Sequence, residues 1–164
     1  MSDKEKRMHR CCFTGHRPEK LQATETEVVA MLRDAIKQAI DDGFRTFITG
    51  MARGVDIWAA EVVLAFRETY PDVHLICALP HPDFEKRWSR AWQERYTTIL
   101  QRADLVKIIW PEFSMASYQI RNEWMVDHSA RVIAVYNDEP GGTRNTIQYA
   151  EIQGVNVRLL RLQH

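Results

Sequence analysis

Apolar residues in this chain fall into short unbroken runs separated by stretches with helical spacing. The runs at 10–14 (RCCFT), 46–49 (TFIT), 73–79 (VHLICAL), 105–110 (LVKIIW), 131–136 (RVIAVY) and 156–160 (NVRLL) predict strands. Between the first two, Thr24 and Glu27 form a capping box ahead of Val28, Leu32, Ala35, Ile36, Ala39 and Ile40, with Gly43 as the stop. A second helix is expected over 55–70, closed by Pro71. Trp88, Trp92, Tyr96 and Ile99 share one helical face, so a third should run to about Arg102. A fourth is expected over 117–127 and a fifth over 144–153, the latter ended by Gly154.

Strand and helix therefore alternate, which implies parallel strands, right-handed crossovers and helices on both faces. Strands that are apolar without polar alternation fit a sheet covered on both sides. The expected fold is α/β: a three-layer α/β/α Rossmann-like sandwich with a mostly parallel sheet of about six strands. The 164 residues suit one domain, with residues 1–9 as a flexible N-terminus. Ligands of such sheets bind beyond the carboxyl ends of the strands, so the loops after each strand are the ones to read.

After the first strand come Thr14, Gly15, His16 and Arg17, then Pro18. His16 and Arg17 can donate to an anion, while Pro18 excludes the G-x-G-x-x-G dinucleotide loop. After the second strand, Gly50-Met51-Ala52-Arg53-Gly54-Val55-Asp56 runs straight into a helix. Two glycines there let backbone N–H groups approach a ligand, and Arg53 offers a fork suited to phosphate. Asp56 reads equally as an N-cap or as an acceptor for a ligand hydroxyl. Glu61 reads equally as solvated or as facing the pocket. After the fifth strand, Gly141, Gly142 and Thr143 precede a helix whose first turn holds Thr146, with Thr143 as the expected cap.

Lys plus Arg and Asp plus Glu number 22 each, so the chain lacks the global field that non-specific nucleic-acid or membrane binding uses. Cys11, Cys12 and Cys77 sit in strands without metal or disulfide spacing and read as buried thiols of a cytoplasmic protein. No signal peptide or membrane span is visible in the sequence. The histidines have no metal spacing, and no nucleophile–histidine pairing or G-x-S-x-G can be drawn.

The segments TGHRPEKL at 14–21, TGMARGVDIWAAE at 49–61 and RNEWMVDHSARVIAVYNDEPGGTRNT at 121–146 together resemble the YpsA-like branch of the SLOG superfamily. The resemblance implies a bacterial, Rossmann-like, nucleotide-binding protein related to the LOG phosphoribohydrolases and to DprA, which handles single-stranded DNA. An ADP-ribose or NAD-like ligand and an association with cell division are what the branch suggests. Carried over by position, Gly50, Arg53, Gly54 and Asp56 match the first ligand loop, and Gly141, Gly142 and Thr143 the start of the second. Asn122 and Asp127 lie in the branch's own RN-x-WMVD segment, where a polar residue beside the cleft is expected.

One departure bears on catalysis. LOG enzymes read P-G-G-x-G-T-x-x-E, whereas here Tyr149 stands three residues after Thr146, where that acid should be. Glu151 would face elsewhere on the helix. The leading expectation is a nucleotide-binding sensor or regulator with no certain cofactor. An N-glycosidic-bond hydrolase is the alternative, with Asp56 and Glu61 as its candidate acids. A DprA-like single-strand binder comes third, since a neutral chain without a basic aromatic stripe disfavours nucleic acid. A homo-oligomer stays open, and no protein partner is indicated.

Overall fold

The computed structural model describes residues 2–162. A short helix α1 (Asp3–Arg7) occupies the segment expected to be flexible, and Arg7 Nε donates to the Ser129 carbonyl at 3.0 Å. The repeating part then runs β1 (Arg10–Gly15), α2 (Glu25–Asp41), β2 (Thr46–Thr49), α3 (Val55–Thr69), β3 (His74–Leu79) and α4 (Arg90–Arg102). It continues as β4 (Leu105–Ile108), α5 (Ala116–Asp127), β5 (Arg131–Tyr136), α6 (Gly142–Ile152) and β6 (Asn156–Arg161).

All neighbouring strands pair in parallel, in the order β4-β3-β2-β1-β5-β6. Alternate residues along each strand enter opposite layers. Cys11, Phe13, Phe47, Leu75 and Cys77 join the core under α2, α3 and α4, while Cys12, Ile48, Ala78 and Val132 meet Met125 of α5 and Ala150 of α6. The fold is therefore a three-layer α/β/α Rossmann-like sandwich. All of Cys11, Cys12 and Cys77 are buried free thiols, and burial pushes Cys12 and Cys77 up to about 12.

Local chemistry explains the boundaries. Thr24 Oγ1 accepts from the Glu27 N–H at 3.2 Å to start α2. Gly43 at φ +102° ends it, with the Phe44 N–H returning to the Ala39 carbonyl at 2.9 Å. The expected third helix begins later than its aromatic spacing suggested, because Ser89 caps α4 and leaves Trp88 in the preceding turn. Thr143 is not the cap of α6, which starts one residue earlier, at Gly142. β4 departs furthest from expectation: as an edge strand it is exposed throughout, with Leu105, Val106 and Ile108 at the surface. Among the described residues no helix is long and apolar enough to cross a membrane.

Candidate functional site

The chain steps outward from β1 through β2 and β3 to β4, then returns to the other side of β1 for β5. Strand order thus reverses between β1 and β5, and their diverging loops open a crevice at the carboxyl edge. A cleft of about 290 Å³ lies there. The end of β1 contributes Thr14 and Gly15 and the loop after it His16 and Arg17, while Gly141 and the first residues of α6, Gly142 and Thr143, stand on the other side. Asp56 of α3, Tyr118, Arg121 and Asn122 of α5, and Lys20 add further polar groups to its lining.

Asp56 is the unusual group. It is 6% exposed, its Oδ2 accepts weakly from the Ala52 N–H at 3.3 Å, and its Oδ1 is buried without a hydrogen-bond partner. It does not cap α3, whose N-cap is Gly54 with no side-chain bond. Burial raises its pKa to about 6, against the opposing charge of Arg121 and the Ala52 N–H.

Arg121 is itself 5% exposed. It donates from Nη1 to the Gly50 carbonyl at 2.6 Å and from Nε to Asn122 Oδ1 at 2.8 Å. Burial lowers its pKa, with Asp56 acting against that. Arg121 is a functional candidate that the glycine loops do not point to. The signal was its spacing: Ser117, Arg121 and Met125 fall four apart on the buried face of α5, so the cation sits on an otherwise inward-facing stripe.

His16 forms part of the floor. Its Nε2 accepts from the Asn137 N–H at 3.4 Å, which leaves the proton on Nδ1, and its ring stacks on Tyr136 with centroids 5.9 Å apart. Burial and then Lys20 hold its pKa below the usual value, so it is neutral at physiological pH. Opposite stands the start of α6, where Gly141 takes φ +138° and no side chain caps the helix. A Cβ on Gly142 would meet only Asn122 Nδ2, at 4.0 Å. Open N–H groups and the positive end of α6 thus face the cleft.

Other candidates have different surroundings. Arg53 is not among the cleft-lining residues; its Nη2 pairs with Glu19 Oε1 at 2.8 Å. Gly54, at φ +93°, lets the loop pack on its neighbour, since a Cβ there would lie 2.9 Å from the His16 carbonyl oxygen and from Pro18 Cδ. Met51, in a left-handed conformation at φ +61°, is wholly buried. Gly50 makes room for the buried pair, because its Cβ would come within 3.0 Å of both the Arg121 guanidinium and Asp56 Oδ2. Thr146 Oγ1 turns back to the Gly142 carbonyl at 2.8 Å. Glu61 is held by Arg95, Oε1 to Nη2 at 2.6 Å, and lies outside the cleft lining. Asp127 lies at the far end of α5 and accepts from the Tyr149 hydroxyl at 2.7 Å, rather than standing beside the cleft.

The fold resembles two solved DNA processing proteins. One is DNA processing protein A from Helicobacter pylori, studied for its single-stranded DNA binding mode. The match has a TM-score of 0.66 and 17% identity, and covers 98% of this chain and 68% of that one. The other is DprA from Streptococcus pneumoniae, at TM-score 0.68 and 15% identity over 93% of this chain and 50% of that one. Among curated relatives, a UPF0398 protein of Staphylococcus epidermidis is 31% identical over 106 residues, 63% of this chain. That match spans only 56% of the relative's length. A UPF0398 protein of Halalkalibacterium halodurans is 30% identical over 77% of this chain and 68% of its own. The SPbeta prophage-derived protein YoqJ of Bacillus subtilis is 34% identical over 71% of this chain and 75% of its own. The YpsA family model, described as the YspA SLOG family, matches residues 11–161. With that match running from β1 to β6, the chain belongs to the YpsA family of SLOG proteins.

Proposed function

We propose that the cleft binds a nucleotide or nucleotide derivative, of the ADP-ribose or NAD-like kind, and that the protein acts as a sensor or regulator. The observation that carries this reading is Asp56 Oδ1, a buried acceptor without a partner in a cleft that also holds the uncapped start of α6. An orphaned buried acceptor is costly, and a ligand hydroxyl would satisfy it. N–H groups at a helix start favour an anion. A hydroxyl donor joined to an anion is what a ribose phosphate offers. Arg17 and Lys20 line the same cleft and add positive charge for a phosphate.

Thermal shift with AMP, ADP-ribose and NAD tests this. A ligand at a hundred times its Kd should add about 2.7 kcal/mol of stability. No shift with any of them at millimolar concentration refutes the reading.

One feature favours hydrolysis of an N-glycosidic bond as the second reading. Asp56, raised to about 6, is poised near the pH where a general acid works. Release of adenine from AMP, followed by chromatography, separates it from binding alone. The likeness to the Helicobacter pylori protein supports a third reading, single-strand binding, which a salt-dependent shift of a short oligonucleotide would reveal.

A further inference from the structure

Beside the polar cleft lies a larger cavity of about 630 Å³, beyond the carboxyl ends of β3 and β4. His81, Phe84, Trp88 and Phe113 wall it with rings. These rings meet edge to face: His81 and Phe113 have centroids 5.1 Å apart, His81 and Phe84 5.8 Å, and Phe84 and Trp88 5.1 Å. His81 is buried and anchored, with Nδ1 against the Pro82 carbonyl at 2.7 Å and Nε2 against the Tyr118 hydroxyl at 3.4 Å. Phe113, by contrast, is 65% exposed.

The two cavities are continuous in their lining. Phe84 belongs to both, and the Arg121 guanidinium of the cleft lies 5.7 Å from its ring centroid. Tyr118 lines the cleft while its ring contacts both Phe84 and His81. Charges around the aromatic cavity balance, with Asp83 and Glu112 against Lys86 and Arg87. That balance suits a neutral flat ring better than a further phosphate. Distance constrains the occupant. From β5, which leads into α6, to β3 is three strand spacings, about 14 Å across the sheet.

We infer that the aromatic cavity is the base-binding subsite of the same ligand, so that the ligand is dinucleotide-sized. In this arrangement one sugar-phosphate lies against Asp56 and α6, and an aromatic base at the other end stacks among Phe84, Trp88 and Phe113. This rests on the cleft being a nucleotide site. The same chemistry, a base carried about one nucleotide beyond a phosphate, also occurs in a single strand; the balanced charge favours the free dinucleotide.

The test is calorimetric titration of the whole chain with AMP, ADP-ribose and a short oligothymidylate, repeated on Phe113→Ala, Phe113→Trp and Gly142→Val. ADP-ribose should bind at least tenfold tighter than AMP. Phe113→Ala should remove about that factor for ADP-ribose and leave AMP unchanged, Phe113→Trp should restore it, and Gly142→Val should abolish binding of both. ADP-ribose binding that Gly142→Val abolishes but Phe113→Ala does not alter overturns the subsite and leaves the cleft reading standing. Binding of neither nucleotide overturns both. Phe113-dependent binding of the oligothymidylate without binding of ADP-ribose overturns the free dinucleotide in favour of a strand.

Discussion

Replacing Asp56 with Asn removes a buried charge whose pKa is raised from 3.8 to about 6, and the consequence for stability has a definite sign. A carboxyl group that holds its proton more tightly when folded stabilises the fold at low pH. That contribution is lost as pH rises from the unfolded value to the folded one. The full span corresponds to about 3 kcal/mol at about 1.4 kcal/mol per pH unit. Between about pH 5 and about pH 7.5 the wild type should lose about 1.4 kcal/mol that the Asn variant does not. Because Asp56 is 6% exposed, solvent screening does little to reduce the figure. The absolute offset between the two proteins is a poor readout, since Asn also leaves Arg121 without its neighbouring negative charge. The slope is the readout.

His16 titrates in the same window with the opposite sign. Its lowered pKa means the unfolded chain takes the proton more readily, so its contribution grows as pH rises. It is present in both proteins and drops out of the difference. Urea unfolding of wild type and Asp56→Asn at three pH values gives the two curves. Parallel curves, or a wild type that gains on the variant with rising pH, would refute the assignment of a strained buried carboxyl group to Asp56.

Three further substitutions separate ligand contacts from packing. Gly142→Val should fold with stability changed by less than about 1 kcal/mol, because a Cβ there meets nothing nearer than 4.0 Å, yet it should abolish the ADP-ribose thermal shift. Gly54→Ala should cost about 2–3 kcal/mol in urea unfolding, since its Cβ would stand 2.9 Å from the His16 carbonyl oxygen at a φ of +93°. Near-native stability of that variant would show that the two loops do not pack as described. Arg53→Ala should cost no more than about 1 kcal/mol, because its pair with Glu19 is partly exposed, 24% and 50% by side chain. If it also weakens ADP-ribose binding, Arg53 must leave Glu19 when ligand enters.

Helical spacing revealed α2 almost completely: Val28, Leu32, Ala35, Ile36, Ala39 and Ile40, read from periodicity, are its buried residues. Capping and glycine chemistry are local, so the ends of that helix were legible too. The exposure of β4 was not legible. An apolar strand has the same sequence at an edge as in the middle of a sheet, and strand order is decided by crossovers that periodicity does not encode. Glycines before helices point to loops that lie at the carboxyl edge of the sheet, but the direction each loop faces is a tertiary fact. Thus Gly54 lets two loops pack closely, Met51 is buried in the core, and Arg53 pairs with Glu19. A charged residue does not by itself mark a buried position, although the four-residue spacing of Arg121 from Ser117 and Met125 places it inward.

The same topology bears on catalysis. α6 begins at the cleft, and Tyr149 lies seven residues along it, about 10 Å down the axis. There its hydroxyl donates to Asp127 at the far end of α5, and that bond is the first cause raising its pKa to about 12. Being tied to Asp127 away from the cleft and neutral at physiological pH, Tyr149 cannot replace a glutamate over a ribose. Glu61 is engaged by Arg95. Asp56 therefore remains the carboxyl group at hand. It supplies either a general acid or a ligand acceptor at one position, whereas water activation opposite a leaving base needs a second group. Loss of one preorganised group of that kind costs on the order of 10²–10³ in rate. Adenine release from AMP should accordingly fall far below the roughly 10 s⁻¹ typical of enzymes. Turnover at that level, abolished by Asp56→Asn and untouched by Glu61→Gln, would make this cleft an active site with Asp56 as its acid.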